Sequence, residues 1–135
     1  MPDLIRLEVV TPERQLVKED VESVELPGQN GYLGILPGHA PLVGQLGTGH
    51  VVYAAAGWRR FLFVSGGFVE VAEGSVRVIA DVAEPAGDID VNRAKAAQER
   101  AQRALSTSPS EEETAADAAA LARAEGRIAA AERKP

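Results

Sequence analysis

Val82-Ala83-Glu84-Pro85-Ala86-Gly87-Asp88-Ile89-Asp90-Val91-Asn92-Arg93-Ala94 is the stretch at which this 135-residue chain changes its vocabulary. All six aromatics (Tyr32, Tyr53, Trp58, Phe61, Phe63, Phe68) lie before it, twelve of the thirteen glycines lie at or before Gly87, and no valine follows Val91. After it come Ala, Glu, Arg and Gln, with 15 alanines in the last 42 residues. Valine and aromatic side chains fit a pleated, half-buried surface, whereas Ala, Glu, Arg and Gln lose little on entering a helix. The chain therefore reads as α+β: an N-terminal sheet unit, residues 1–87, followed by a helical unit, residues 88–135.

Working upstream, the apolar positions alternate. Ile5-Leu7-Val9 interleaves with Arg6-Glu8, Val69-Val71 with Glu70, and Val76-Val78 with Arg77, the period of a strand with one wet face. Val21-Val24-Leu26 slips by one residue, as a bulge would. Turn signals punctuate the segment at Pro27-Gly28, Pro37-Gly38, Gly47-Thr48-Gly49, Ala56-Gly57, Gly66-Gly67 and Glu73-Gly74. About ten short strands with no helical pattern between them predict an antiparallel β-sandwich.

Downstream the pattern predicts a helical hairpin. Asp90 is placed to cap a helix running to about Leu105. Ser106-Thr107-Ser108-Pro109 makes the turn, and Ser110 with Glu113 has capping-box spacing for a second helix ending near Glu132. Val91, Leu105, Leu121 and Ile128 are its only larger apolar residues. A buried methyl contributes only about 0.8 kcal/mol, so an alanine face docks closely but weakly. Such a pair suits two arrangements, folded down or opened out. Gly126, the only internal breaker, costs about 1 kcal/mol relative to Ala.

Composition removes several functions. The net charge of −6 disfavours nucleic acid or an anionic lipid surface as main partner. Residues 1–87 carry 6 bases and 11 acids, and residues 88–135 carry 8 and 9. With no cysteine there is no thiolate nucleophile, disulfide or Cys-ligated metal. Met1 to Arg6 lacks the basic start and apolar core of a signal peptide. The longest apolar run, Val51 to Ala56, is far short of the ~20 residues of a membrane helix. The expectation is a cytosolic protein with no membrane insertion, no metal and no catalytic residues of its own. His39, in Leu36-Pro37-Gly38-His39-Ala40-Pro41, and His50 have no carboxylate or second histidine nearby in sequence, which suits surface histidines better than a metal enzyme. Gly28-Gln29-Asn30-Gly31-Tyr32-Leu33-Gly34 lacks the Lys and following helix of a phosphate loop, and reads as a hairpin turn.

The arginines of the helical unit carry the one positive signal. Arg93 and Arg100 share one stripe, as do Arg123 and Arg127. With the turn centred near residue 108, Arg123 lies level with Arg93, and Arg127 with Ile89 and Asp90. Three guanidinium groups then converge at the open end of the hairpin, beside Asp81 and Glu84, with Arg100 two turns along. Two readings stay open on spacing alone: a solvated face balanced by Glu99, Glu125 and Glu132, or an anion site suited to a polyphosphate.

Taken together, Glu25-Leu26-Pro27-Gly28, Gly34-Ile35-Leu36-Pro37-Gly38-His39-Ala40-Pro41-Leu42, Val64-Ser65-Gly66-Gly67-Phe68-Val69-Glu70-Val71 and Val78-Ile79-Ala80-Asp81 resemble the ε-subunit family of bacterial F-type ATP synthases. The resemblance spans nearly the whole chain. It implies a ten-stranded sandwich that clamps the γ subunit and rests on the c-ring, peripheral to the cytoplasmic face of the cell membrane. It also implies a hairpin that lies on the sandwich or extends toward the α and β subunits to impede ATP hydrolysis. Some members bind ATP on the folded hairpin through a motif of the form Ile/Leu-Asp-x-x-Arg-Ala, matched here by Ile89-Asp90-Val91-Asn92-Arg93-Ala94. The resemblance puts the accompanying positions at Glu84, Arg100, Arg123 and Arg127, makes ATP a regulatory ligand, not a required cofactor, and places His39 at the γ interface and the Gly31-Tyr32-Leu33 turn near the c-ring. The competing reading is a free-standing β-sandwich module for a small ligand, with a helical oligomerisation tail.

Overall fold

A computed structural model describes residues 3–107 and 110–133. Eight strands precede two helices: β1 (Ile5–Val10), β2 (Gln15–Val21), β3 (Ser23–Gly28), β4 (Gly31–Ile35), β5 (Leu42–Gln45), β6 (Thr48–Ala55), β7 (Trp58–Ala72), β8 (Ser75–Pro85), α1 (Val91–Thr107) and α2 (Glu111–Glu132). The hydrogen-bonded order is β2-β1-β8-β7-β6-β3-β4, with β5 paired to β7. The sheet coils over on itself around one core, built from Leu7 and Val9 of β1, Val24 and Leu26 of β3, Val51 of β6, Val69 of β7 and Val76 and Val78 of β8.

Three sequence expectations change. The strands number eight, not ten, because β7 and β8 are long and run through what read as a break. Gly66 and Gly67 are not a turn; their φ values of 72° and 113° kink β7 in mid-strand. A Cβ at Gly67 would stand 2.0 Å from the carbonyl oxygen of Ile79, so only glycine lets β8 pass so close. Across the kink the inward row of β7 changes from Leu62 and Val64 to Val69 and Val71. The β7–β8 register runs on unbroken, from Ser65 opposite Val82 to Gly67 opposite Ala80.

The second change is at Val21-Val24-Leu26, which is not a bulge within one strand. β2 ends at Val21, paired with Ile5, and β3 carries Val24 to pair with Tyr53 and Ile35. The chain changes partner strands at Glu22. Third, the sandwich is not wholly antiparallel, because β1 runs parallel to β8. The glycine-rich segment is, as read, a hairpin: Gln29 and Asn30 form the turn between Gly28 and Gly31. Tyr32 and Leu33 are therefore in β4, one step beyond the turn.

The helices follow their capping signals. Asp90 Oδ1 accepts from the backbone N–H of Arg93 at 3.0 Å, and Ser110 Oγ from that of Glu113 at 3.1 Å. Ser106 and Thr107 extend α1; Ser108 and Pro109 of the expected turn lie outside the described residues. α2 packs on β6 and β7, and α1 packs on α2. The buried helix positions are alanines throughout: Ala94 and Ala101 in α1, and Ala124, Ala130 and Ala131 in α2. Under the hairpin sits a second small core of Phe63, Ile89, Ala130 and Ala131, with Val82 and Val91 at its margin. Gly126 meets the sheet here. A Cβ on it would stand 2.8 Å from Phe63 Cε1, so the apparent helix breaker is the notch that receives the phenylalanine ring. Among the described residues no helix is long and apolar enough to cross a membrane.

Candidate functional site

The end of β8, a short 3-10 turn at Ala86–Asp88 and the facing sides of α1 and α2 enclose a cavity of about 310 Å³. The turn brings the chain from the sheet edge to the start of α1, so Glu84, Asp88 and Asp90 all reach the cavity from one side. Arg93, Ala94, Ala97 and Arg100 enter from α1, one helical face, and Ala124 and Arg127 from α2. The alanines are what leaves room: a larger residue at Ala94, Ala97 or Ala124 would fill the space between the helices.

Arg127 is the organising side chain. Its Nε donates to Glu84 Oε1 at 2.6 Å, and its guanidinium carbon lies 4.6 Å from the centre of the Phe63 ring. Carboxylate and ring hold the fork from two directions, in a setting where both charged side chains are about one-third exposed. The fork keeps Nη donors that Glu84 does not use. Arg93 and Arg100 are exposed and make no ion pair among the described residues. Asp90 spends one oxygen on the helix cap. Three carboxylates thus face three guanidinium groups, so mutual repulsion of the arginines is offset within the site.

Of the residues singled out from sequence, Glu84, Asp90, Arg93, Ala94, Arg100 and Arg127 line this one cavity. Ile89 and Arg123 do not. Ile89 is buried against Phe63 and Ala130, where it anchors the start of the hairpin. Arg123 is half-buried on α2, a turn before Arg127, outside the lining. Asp88 lines the cavity and was not singled out; nothing in its spacing separates it from a solvated acid ahead of Asp90. Asp81, expected beside the arginines, sits instead against the Gly66 kink of β7.

The two histidines have separate settings. His39 Nδ1 donates to the carbonyl of Ala40 at 2.7 Å, and its backbone N–H to Leu36, within the proline-flanked loop. His50 is tied to Tyr32. The Tyr32 hydroxyl accepts from the backbone N–H of His50 at 3.2 Å and shares a hydrogen bond with its Nδ1 at 3.1 Å, with ring centroids 4.8 Å apart. Partial burial, and then the charge of Arg133, pull the His50 pKa below its ordinary value, while Glu25 acts the other way. Gly49 makes room for the pair, since a Cβ there would collide with the Tyr32 hydroxyl. Among the described residues no group of His, Asp or Glu is arranged to hold a metal.

Leu36, Val43 and Phe68 are the largest exposed apolar residues beside this loop. Val43 faces Glu70 and Gln45 faces Phe68 across the β5–β7 ladder, so Val43 and Phe68 share one outward face.

The sequence can be set against known proteins. Residues 4–86 match the model of the ATP synthase delta/epsilon chain β-sandwich domain, and residues 88–132 that of the same chain's long α-helix domain. An ATP synthase epsilon chain from Solibacter usitatus is 53% identical, covering 99% of this chain and 100% of that one. One from Syntrophobacter fumaroxidans is 42% identical over 98% and 99%. Among solved structures, a chain of the Euglena gracilis mitochondrial ATP synthase, determined with OSCP, F1 and the c-ring, superposes with a TM-score of 0.83 at 31% identity, covering 96% of this chain and 82% of that one. A chain of the Tetrahymena thermophila enzyme, from its central stalk and c-ring, shares the fold at a TM-score of 0.63 and 12% identity, over 94% and 96%. Similarity at this level along the whole length, over both segments and in their order, places the chain in the ATP synthase epsilon-chain family.

Proposed function

We propose that the chain is a non-catalytic central-stalk subunit of a rotary F-type ATP synthase, peripheral to the cytoplasmic face of a bacterial membrane. In this reading residues 1–87 bind the γ subunit and the c-ring, and residues 88–135 form an ATP-sensitive hairpin that acts against the α and β subunits. Full-length similarity to epsilon chains supports the stalk role over a free-standing binding module. The exposed face bearing Val43 and Phe68, with Leu36 and the rigid loop around His39, suits contact with γ, and the Gln29–Asn30 turn with Tyr32 suits the ring.

The single observation that carries the nucleotide reading is the convergence of Arg93 and Arg100 from one helix with Arg127 from the other on one cavity. A triphosphate held by all three binds only the folded hairpin. The Nη donors of Arg127 and the exposed forks of Arg93 and Arg100 supply bidentate contacts to phosphate oxygens. Glu84 is positioned to accept from a ribose or adenine donor. Asp90 keeps α1 starting where Arg93 must stand, and Arg123 lies at the margin. Ligand at 100 times its dissociation constant favours the folded form by about 2.7 kcal/mol. High ATP then holds the hairpin down, and falling ATP frees it to brake hydrolysis.

Titrating the full chain with ATP while following amide exchange in α1 and α2 tests the sensing role. Slower exchange with a saturable dependence on ATP is expected, and no change at millimolar ATP would overturn it. Co-purification with γ, α and β tests the stalk role separately.

A further inference from the structure

A second, wider cavity of about 760 Å³ opens past the C-terminal end of α2, and its lining carries arginines without an acidic residue. Its floor is Ala54, Ala55 and Gly57 at the tip of the β6–β7 hairpin, Trp58 and Phe61 wall it, and Arg59, Arg60 and Arg133 rim it. Arg60 is accounted for, with its Nη1 on Glu19 at 2.7 Å and its guanidinium 4.5 Å above the Trp58 ring. Arg59 lies 5.6 Å above the Phe61 ring and, like Arg133, has no carboxylate partner among the described residues. Two uncompensated guanidinium groups beside an apolar floor stand out on a chain of net charge −6. The cavity is also composite, because Arg133 comes from the C-cap of α2 and the rest from the sheet.

We propose that this cavity is a docking site for an acidic segment of a partner chain, whose carboxylates meet Arg59 and Arg133 while an apolar side chain between them lies on Ala54 and Phe61. Charge complementarity supplies the sign of the partner, and Arg forks the geometry. The open, partly apolar shape suits a peptide better than a small anion, which would stay largely in water there. Because Arg133 completes the site, the segment binds only while the hairpin is down and holds it there. The cavity shares no lining residue with the one proposed for nucleotide.

Trp58 is the only tryptophan, so the full chain carries its own reporter. A short synthetic peptide with glutamates flanking a Leu-Phe pair should give a saturable change in Trp58 fluorescence. Its all-glutamine counterpart should bind about tenfold or more weakly, and so should R59Q and R133Q with the acidic peptide, as loss of one charge-assisted pair implies. Far-ultraviolet circular dichroism checks that both variants remain folded, and R133E provides a second removal of charge at an exposed position. Equal binding of the two peptides, full binding to R133Q and R133E, a response to pyrophosphate with none to the peptide, or no Trp58 response at all would each overturn the proposal.

Discussion

Arg127 and Glu84 stand 43 positions apart and meet at 2.6 Å, joining the second helix to the last strand. The bond lies across the very boundary at which the sequence changes composition. It is strengthened by the Phe63 ring, which takes the other side of the guanidinium. Alanine packing alone docks the hairpin weakly, so this contact and the Phe63–Gly126 fit supply much of what fixes its position.

Glu84→Gln keeps the shape and removes the charge. The pair is about one-third exposed, so its contribution is modest, about 1 kcal/mol. Amides of α2 should lose about fivefold in protection against exchange. Protection within β1, β7 and β8 should be unchanged, and a uniform loss throughout the chain would contradict a local contact.

The sequence set Arg123 at the point of convergence and Arg100 two turns along, but it is Arg100 that lines the cavity proposed for nucleotide. Arg100→Ala should weaken ATP binding about tenfold or more, and Arg123→Ala by much less. Calorimetric titration of the two variants separates them. Equal losses would mean that the ligand reaches beyond the cavity.

In an open helix Gly126→Ala would gain about 1 kcal/mol. Here the added methyl meets Phe63, whose ring is fully buried. The expected outcome is a net loss of about 1–3 kcal/mol in hairpin docking, the usual scale of overpacking. Helicity should persist by circular dichroism while exchange in α2 speeds up. A more protected α2 would show that the notch is not needed.

His50 gives the pH dependence a sign. Its pKa is held below the ordinary value of about 6.5 in the folded chain, so the unfolded chain binds the proton more readily. The contribution of the neutral ring to stability is fully present above that ordinary value. It is lost as pH falls through it toward the depressed folded value. Denaturation midpoints should drop over that interval for the wild type, and drop less for His50→Gln. The Tyr32 ring resonances should shift over the same range, because the charge on His50 changes beside them.

A chain ending near Gly87 should stay folded, because nearly all the large buried side chains belong to the sheet. Phe63 would lose its cover, which makes such a fragment less soluble but still strand-rich by circular dichroism. Unfolding at room temperature would show that the hairpin is part of the cooperative unit.

Much of this was legible in the residues themselves. Period-two alternation found Leu7, Val9, Val69, Val71, Val76 and Val78 as core, and Asp90 and Ser110 marked both helix starts, because each signal is local. Gly66-Gly67 misled because the dipeptide that closes a turn also permits a kink, and only the approach of Ile79 decides between them. The parallel pairing of β1 with β8 is a long-range choice that no local pattern encodes. At the site, helical spacing brought Arg93, Arg123 and Arg127 together and set Arg100 two turns along, whereas Arg100 lines the cavity and Arg123 does not. It could not tell Arg123 from Arg127, since that depends on which way α2 is rotated on β6 and β7. Gly126 looked like a cost for the same reason: its benefit lies in Phe63, 63 residues upstream.

The kink in β7 has a consequence for what lengths of chain this architecture permits. Leu62 and Val64 point inward before Gly66, and Val69 and Val71 after it, while β8 keeps step opposite. The two glycines therefore act as a frame-setter. Adding or deleting one residue between Val64 and Val69 would swap the wet and dry rows of everything on one side, turning Phe68 inward and Val69 out. Phe63, which receives the hairpin, and Phe68, on the exposed face with Val43, are thus locked at a fixed count along one strand. Point substitutions can retune either surface, but natural length variation should be barred from this segment.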